Sequence, residues 1–313
     1  MFIKAFTFLL CVTSASLTLA EIYTLPPADV DIIGQISSIT AGRDNTLLDI
    51  ARQYDIGQNE ILHANPEVDR WLPADNSAVI LPNRYILPGT TRNGLVINLP
   101  EMRLYYYPKP KNGEPPVVIT HPVSVGRMDW ETPLGKTKIV NKKKDPDWRP
   151  PQSLKDEAIA QGDEPLPDIV RAGPDNPLGR YAMRLGIPGY LIHSTNKPYG
   201  VGMRVTHGCL RMYPEDIESL FDKVSVGTQV QLVNQPIKLG WLAGSLFLEL
   251  HPPLEEDKDK YQDYMQSVLD AISDFLANDK NTGGVDSEGI SLSGSALRQA
   301  IEEQSGIPVL ISR

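Results

Sequence analysis

Ile192-His193-Ser194, running on to Val205-Thr206-His207-Gly208-Cys209-Leu210-Arg211, is the stretch on which the fold and the chemistry of this chain turn. It holds Cys209, one of two cysteines in 313 residues, and two of the five histidines. The other cysteine, Cys11, stands near the start of the chain. A thiol is a weak nucleophile until ionised, and a nearby imidazole can take its proton and later deliver it to a leaving amine. His193 and His207 are both candidates for that base. His207 stands two residues before Cys209, on the same face of an extended segment; His193 ends an apolar strand pattern and can approach from across a sheet. Spacing leaves both open. Gly208 has no side chain and tolerates a strained backbone, so the His207-Gly208-Cys209 amides can converge on one spot, as an oxyanion hole requires. His193, His207 and Cys209 are also legitimate zinc ligands. No paired-cysteine or His-Glu-x-x-His spacing accompanies them, so the residues point to nucleophilic catalysis with no metal and no cofactor.

The rest of the chain bounds that reading. A length of 313 residues and 41% hydrophobic content suit two domains, or one with appendages. A formal charge of -9 argues against nucleic acid, which is held by net lysine and arginine. Residues 1–20 carry Lys4, a short apolar run from Ala5 to Val12 and a small-residue ending at Ala20, the layout of a cleaved secretory signal peptide. The apolar run is too short for a bilayer core of about 30 Å. Leu10 before Cys11 does not suit lipid attachment. Cleavage after Ala20 would leave Cys209 as the single thiol, with no internal disulfide to form.

Working outward, residues 21–34 read as an extended lead-in. Leu47, Ile50, Ala51 and Tyr54 share one helical face, with Asp44 or Asn45 available as N-cap. A second helix is expected around Asn59 to His63, closed by Asn65-Pro66, and the strands Ile36 to Ile39 and Val79 to Leu81 flank the pair. Pro82 to Arg92 is the boundary. Residues 95–99 and 103–107 predict a hairpin around Pro100-Glu101-Met102, followed by strands over 117–125 and 136–140. Residues 141–180, rich in proline and with one helix over 153–160, predict a lid. Within them Lys142-Lys143-Lys144 reads as a solvated face. Strands at 181–185 and 190–193, a helix over 214–223 and a strand at 229–233 complete this domain. Beyond Pro236, a hairpin through Ala243-Gly244, a helical face of Tyr261, Tyr264, Met265, Val268, Ile272 and Phe275, a loop over 281–289, a helix over 293–304 and a strand over 307–311 make an α+β appendage.

Two resemblances sharpen these expectations. The unit built on Asn45-Thr46-Leu47, Ile50-Ala51, Tyr54 and Asn65-Pro66 resembles a LysM module, which implies peptidoglycan binding. His193-Ser194 with Thr206-His207-Gly208-Cys209-Leu210-Arg211 resembles the signature of the YkuD-type L,D-transpeptidases, over roughly residues 94–233 and including Thr132-Pro133-Leu134-Gly135. That resemblance implies Cys209 as nucleophile, His193 as base, the Ser194 backbone orienting the base, and His207, Gly208 and Cys209 as oxyanion hole. It implies Arg211 and Thr206 as substrate-binding residues. Leu104-Tyr105-Tyr106-Tyr107-Pro108, Ala172-Gly173-Pro174-Asp175-Asn176-Pro177 and Ser305-Gly306-Ile307-Pro308-Val309 extend the likeness to the periplasmic ErfK/YbiS/YcfS group of Gram-negative bacteria. The partners so implied are peptidoglycan tetrapeptide stems as donor and the C-terminal lysine of an outer-membrane lipoprotein as acceptor. Carbapenems are implied as covalent inhibitors. Close relatives make 3-3 cross-links or hydrolyse; the competing class is a non-catalytic peptidoglycan-binding protein. The expected fold is a mainly β catalytic domain over 94–235, a YkuD-like β-sandwich with a short helix and a lid over 141–180. A LysM-like βααβ module lies within 21–92, with its core about 36–83, and an α+β appendage occupies 236–313.

Overall fold

The short apolar runs within Gly94–Asn98 and Arg103–Tyr107 become an antiparallel hairpin, with Leu95 opposite Tyr106 and Ile97 opposite Leu104. The computed structural model describes residues 21–278 and 290–312. The expected leader, residues 1–20, and the expected loop, residues 281–289, lie outside the described residues. The hairpin sits inside a nine-stranded sheet. In spatial order its strands are Glu21–Thr24, Val117–Pro122, Arg103–Tyr107, Gly94–Asn98, Gln229–Val233, Gly135–Lys144, Tyr181–Leu185, Leu191–His193 and Leu210–Arg211. Two neighbouring pairs are parallel, Gln229–Val233 with Gly94–Asn98 and Leu191–His193 with Leu210–Arg211.

One curled sheet stands where the sequence suggested a sandwich. Gly135–Lys144 serves both halves: residues 135–138 pair with Gln229–Val233, while residues 139–144 pair with Tyr181–Leu185. The register shifts between Ile139 and Asn141, a bulge that bends the strand so one sheet can wrap its own core. Leu95, Ile97, Leu104, Ile119, Met183, Ile192 and Leu210 fill the inside of the curl together with Ile217 and Leu220 of the helix Pro214–Lys223. Val96, Tyr105, Tyr107 and Val118 face the other way and pack on Ile33, Tyr85 and Leu87. Both faces are covered, so these strands are buried throughout.

The lead-in is not loose chain. Residues 21–24 form the sheet's edge strand against Val117–Pro122, and Ile32–Gly34 pairs with Arg84–Ile86. The lysine run differs as well. Lys142 Nζ donates to the carbonyl oxygens of Phe221 and, at 2.6 Å, Val224, closing the end of Pro214–Lys223, so only part of the run is a solvated face.

Between the lead-in and the hairpin, Ser37–Thr40, Leu47–Gln53, Gln58–Ala64 and Ala78–Leu81 make a βααβ unit with its strands antiparallel. Thr46, rather than Asp44 or Asn45, caps the first helix. Its hydroxyl accepts from Asp49 N while the Asp49 carboxylate accepts from Thr46 N, a reciprocal box. Asn65 ties helix to strand through Ile61 O, Ile80 O and Ile80 N. The unit docks on the turn at Val201-Gly202 by backbone contact: Gln58 N donates to Val201 O and Asn59 N to Gly202 O. Gly202 has φ +82, and a Cβ there would lie 2.4 Å from Gly57 Cα, so only glycine allows this approach. Beneath it, buried Arg103 donates to Asp55 O and Thr120 out of solvent and to the partly buried Glu60.

The C-terminal unit pairs Ile237–Leu242 with Ser245–Leu250 through Ala243 and Gly244, both at positive φ, and packs the helices Tyr264–Asn278 and Gly294–Glu303 over them. Lys238 fastens it to the rest: Nζ reaches Glu101 at 2.8 Å, Glu249 at 2.6 Å and the Ile86 carbonyl oxygen at 2.7 Å. Among the described residues no helix is long and apolar enough to cross a membrane.

Candidate active site

The short parallel ladder of Leu191–His193 on Leu210–Arg211 puts His193 beside Arg211 and Ile192 beside Leu210. Cys209, which immediately precedes the second strand, therefore lies by the start of the first. Apolar Ile192 and Leu210 anchor the ladder in the core, and the polar residues flanking them are left at its margin.

Cys209 is half-buried, with Sγ 3.7 Å from the Gly189 carbonyl oxygen. Burial pushes the thiol above its ordinary range; a hydrogen bond from the Leu191 backbone and the Arg211 charge pull the other way without cancelling it. His193 is buried, and its Nδ1 lies 2.6 Å from the Ser194 carbonyl oxygen. That bond assigns the ring proton to Nδ1 and leaves Nε2 as the basic nitrogen. Burial, aided by the Arg211 charge, depresses the imidazole to about 4. The resting pair at neutral pH is thus a thiol and a neutral imidazole. Alkylation of Cys209 by iodoacetamide should accordingly rise about tenfold per pH unit through neutrality, with no plateau below pH 9. A plateau below pH 7 would instead indicate a preformed thiolate–imidazolium pair.

The turn before Cys209 is held from several sides. Gly208 has φ +91, and a Cβ there would come within 2.6 Å of the Tyr190 ring. Thr132 Oγ1 accepts from Gly126 N at 3.0 Å and donates to Gly208 O at 2.9 Å. Thr206, expected among the substrate-binding residues, is buried, and its hydroxyl donates to Cys209 O at 2.6 Å; the structure gives it the closing of the turn. Arg211 is largely buried, and its Nε has no hydrogen-bond partner among the described residues.

His207 points elsewhere. Its Nε2 lies 2.7 Å from Glu157 of the helix Gln152–Gln161, and its ring packs on Trp130 with centroids 5.2 Å apart. The two-residue spacing to Cys209 does not bring imidazole and thiol together, and a zinc site would need this imidazole turned inward. Glu157 also accepts from Arg127, so the lid is latched to the turn. The lid's own root is ordered by buried Asn176, which donates to Pro146 O and accepts from Leu178 N. Its return strand passes so close to Ser194 that a Cβ at Gly179 would lie 2.6 Å from Ser194 Cβ. Glu157, Arg127, Trp130 and Tyr190 were not singled out from sequence. Thr132 was visible only inside the Thr-Pro-Leu-Gly run.

Residues 92–232 match YkuD, described as the L,D-transpeptidase catalytic domain. The probable L,D-transpeptidase YbiS of Escherichia coli (strain K12) is 39% identical over 306 residues, covering 96% of this chain and 94% of its own. The probable L,D-transpeptidase ErfK/SrfK of Salmonella typhimurium is 38% identical over 312 residues, covering 97% and 95%. The probable L,D-transpeptidase YcfS of Escherichia coli is 36% identical over 314 residues, covering 98% and 93%. The chain belongs to the YkuD-type L,D-transpeptidase family and is an enzyme of that class. Within the family its kin are the ErfK, YbiS and YcfS proteins, which it matches along almost its whole length.

Proposed function

We propose that this enzyme works in the periplasm of a Gram-negative bacterium, exported by a cleaved leader, and transfers peptidoglycan stem peptides through a thioester on Cys209. The carrying observation is the parallel ladder that sets a buried imidazole, its Nδ1 bonded to the Ser194 carbonyl, beside the strand headed by the thiol. Sγ attacks the diaminopimelate carbonyl of a stem tetrapeptide while its proton passes to His193 Nε2. The His207-Gly208-Cys209 backbone takes the oxyanion. As the tetrahedral centre collapses, the C–N bond to the terminal D-alanine breaks and its nitrogen leaves with the proton from His193. An acceptor amine, deprotonated by the same imidazole, then attacks the thioester and restores the thiol. Arg211, with a buried donor lacking a protein partner, suits a carboxylate of the donor peptide. No step calls for a cofactor.

The acceptor in this reading is the C-terminal lysine of an outer-membrane lipoprotein, with the latched lid limiting access of water. The βααβ unit acts as a LysM-like grip on the glycan. Trp71 and Leu72 stand 63% and 73% exposed on its loop, their amides fixed by Asp69 Oδ1, an aromatic surface suited to a sugar face.

The test is intact-mass analysis of the mature protein after brief incubation with a tetrapeptide muropeptide. An adduct equal to the donor minus D-alanine is expected, and adding candidate amines should discharge it. Discharge by diaminopimelate stems alone would make the enzyme a 3-3 cross-linker. D-alanine release without adduct or amine dependence would make it a hydrolase. Neither adduct nor release from folded protein would leave a peptidoglycan-binding protein.

A further inference from the structure

Among its described residues the C-terminal unit carries no catalytic constellation, yet it reaches the catalytic turn. Glu256 lies in the 3-10 segment Glu255–Tyr261, and its two carboxylate oxygens accept from Arg204 Nη1 and Nη2 at 2.9 and 3.0 Å. Both side chains are only 20% exposed. This is a fork-to-fork pair, which fixes the guanidinium plane as well as its charge. The third donor on that plane, Arg204 Nε, reaches Gly126 O at 3.0 Å. Gly126 is the residue whose amide holds Thr132, and Thr132 holds Gly208 O. Gly126 also touches the turn directly, since a Cβ there would lie 3.1 Å from Gly208 Cα and 2.1 Å from the Trp130 carbonyl oxygen. One unbroken line of charge-assisted and neutral hydrogen bonds therefore runs from Glu256 through Arg204, Gly126 and Thr132 to Gly208.

We propose that Glu256 is a positioning residue of the acyl-transfer turn, acting through Arg204 to hold Gly126 against Gly208. The proposal rests on reading His207 to Cys209 as that turn. Oxyanion donors help only when they meet the developing charge, and a shift of about 1 Å can cost roughly a hundredfold in rate. Without its carboxylate partner the guanidinium keeps only its bond to Gly126 O and is free to rotate, so that bond is no longer fixed in direction. The role predicts a particular signature. Thiol alkylation by iodoacetamide builds no oxyanion and should not sense Glu256, whereas acylation should.

The experiment uses the full mature chain and compares wild type, Glu256→Gln and Arg204→Lys, the last keeping the charge while removing the fork. Carbapenem acylation followed by intact mass gives a limiting rate and a half-saturation constant; iodoacetamide gives the alkylation rate; a melting curve reports the folded fraction. The limiting acylation rate should fall roughly tenfold to a hundredfold, with half-saturation and alkylation rate unchanged. Should Glu256→Gln fail to fold, Arg204→Lys carries the same expectation. A lowered melting point with unchanged acylation per folded molecule, or acylation and alkylation falling together, would overturn the proposal. Wild type that is alkylated but never acylated would bring down the underlying reading of the turn, which separates the two failures.

Discussion

A Cys209→Ala protein should gain no mass from a carbapenem under conditions in which the parent gains one equivalent. The expectation follows from Cys209 being the only thiol among the described residues and from acylation needing a group that can leave its proton behind. Alanine is a mild change here. Cys209 heads a two-residue strand, and its sulfur makes only a weak 3.7 Å contact with Gly189 O, so fold and melting temperature should stay close to the parent's. His193→Ala should behave differently, still forming the adduct but about 10²- to 10⁴-fold more slowly, because the missing function is proton transfer. Its alkylation by iodoacetamide at high pH, where hydroxide removes the proton, should be close to the parent's. A carbapenem adduct of full stoichiometry on Cys209→Ala would end the assignment of Cys209 as nucleophile.

Lys238→Met should lower the stability of the whole molecule by about 3–5 kcal/mol in urea unfolding. Lys238, Glu101 and Glu249 are all at most 3% exposed, and one ammonium serves both carboxylates and the Ile86 carbonyl. Burial alone would raise the Glu101 carboxyl, yet the Lys238 and His251 charges, with bonds from Lys238 and Tyr105, hold it below the ordinary carboxylate range. Removing the ammonium leaves two carboxylates facing each other out of water, which is where the cost arises. Neutralising them in the Lys238→Met, Glu101→Gln, Glu249→Gln triple variant should recover much of the loss, which a simple packing defect would not do. A loss under about 1 kcal/mol would place Lys238 with surface pairs and reject the argument.

What could be read in the sequence was whatever has a local physical cause. The hairpin at 94–107 follows from two short apolar runs on either side of Pro100-Glu101-Met102, and the tight turn at Gly208 from a glycine between histidine and cysteine. The cap at Thr46 was missed by one residue, because hydroxyl and carboxamide caps compete and only the reciprocal bond to Asp49 decides. The curl was not legible, since a bulge between Ile139 and Asn141 leaves no mark on apolar periodicity. Nor were the latch of Glu157 on His207 or the fork of Glu256 on Arg204, each pairing residues some fifty positions apart that carry no motif. Likewise residues 21–24 read as lead-in because their partners lie at 117–120.

The parallel pairing of Gly94–Asn98 with Gln229–Val233 also dictates the order of assembly. Val230 must meet Leu95 before the two halves of the sheet become one, so a chain delivered N-terminus first cannot complete its catalytic half until Gln229 has arrived. Loop closure of that span makes the step slow, and until then the hairpin presents an open edge to any other chain. The thiol is meanwhile uncovered in a partly folded molecule. Cys209 is the only cysteine among the described residues, so within them it has no second thiol to be trapped by in a disulfide.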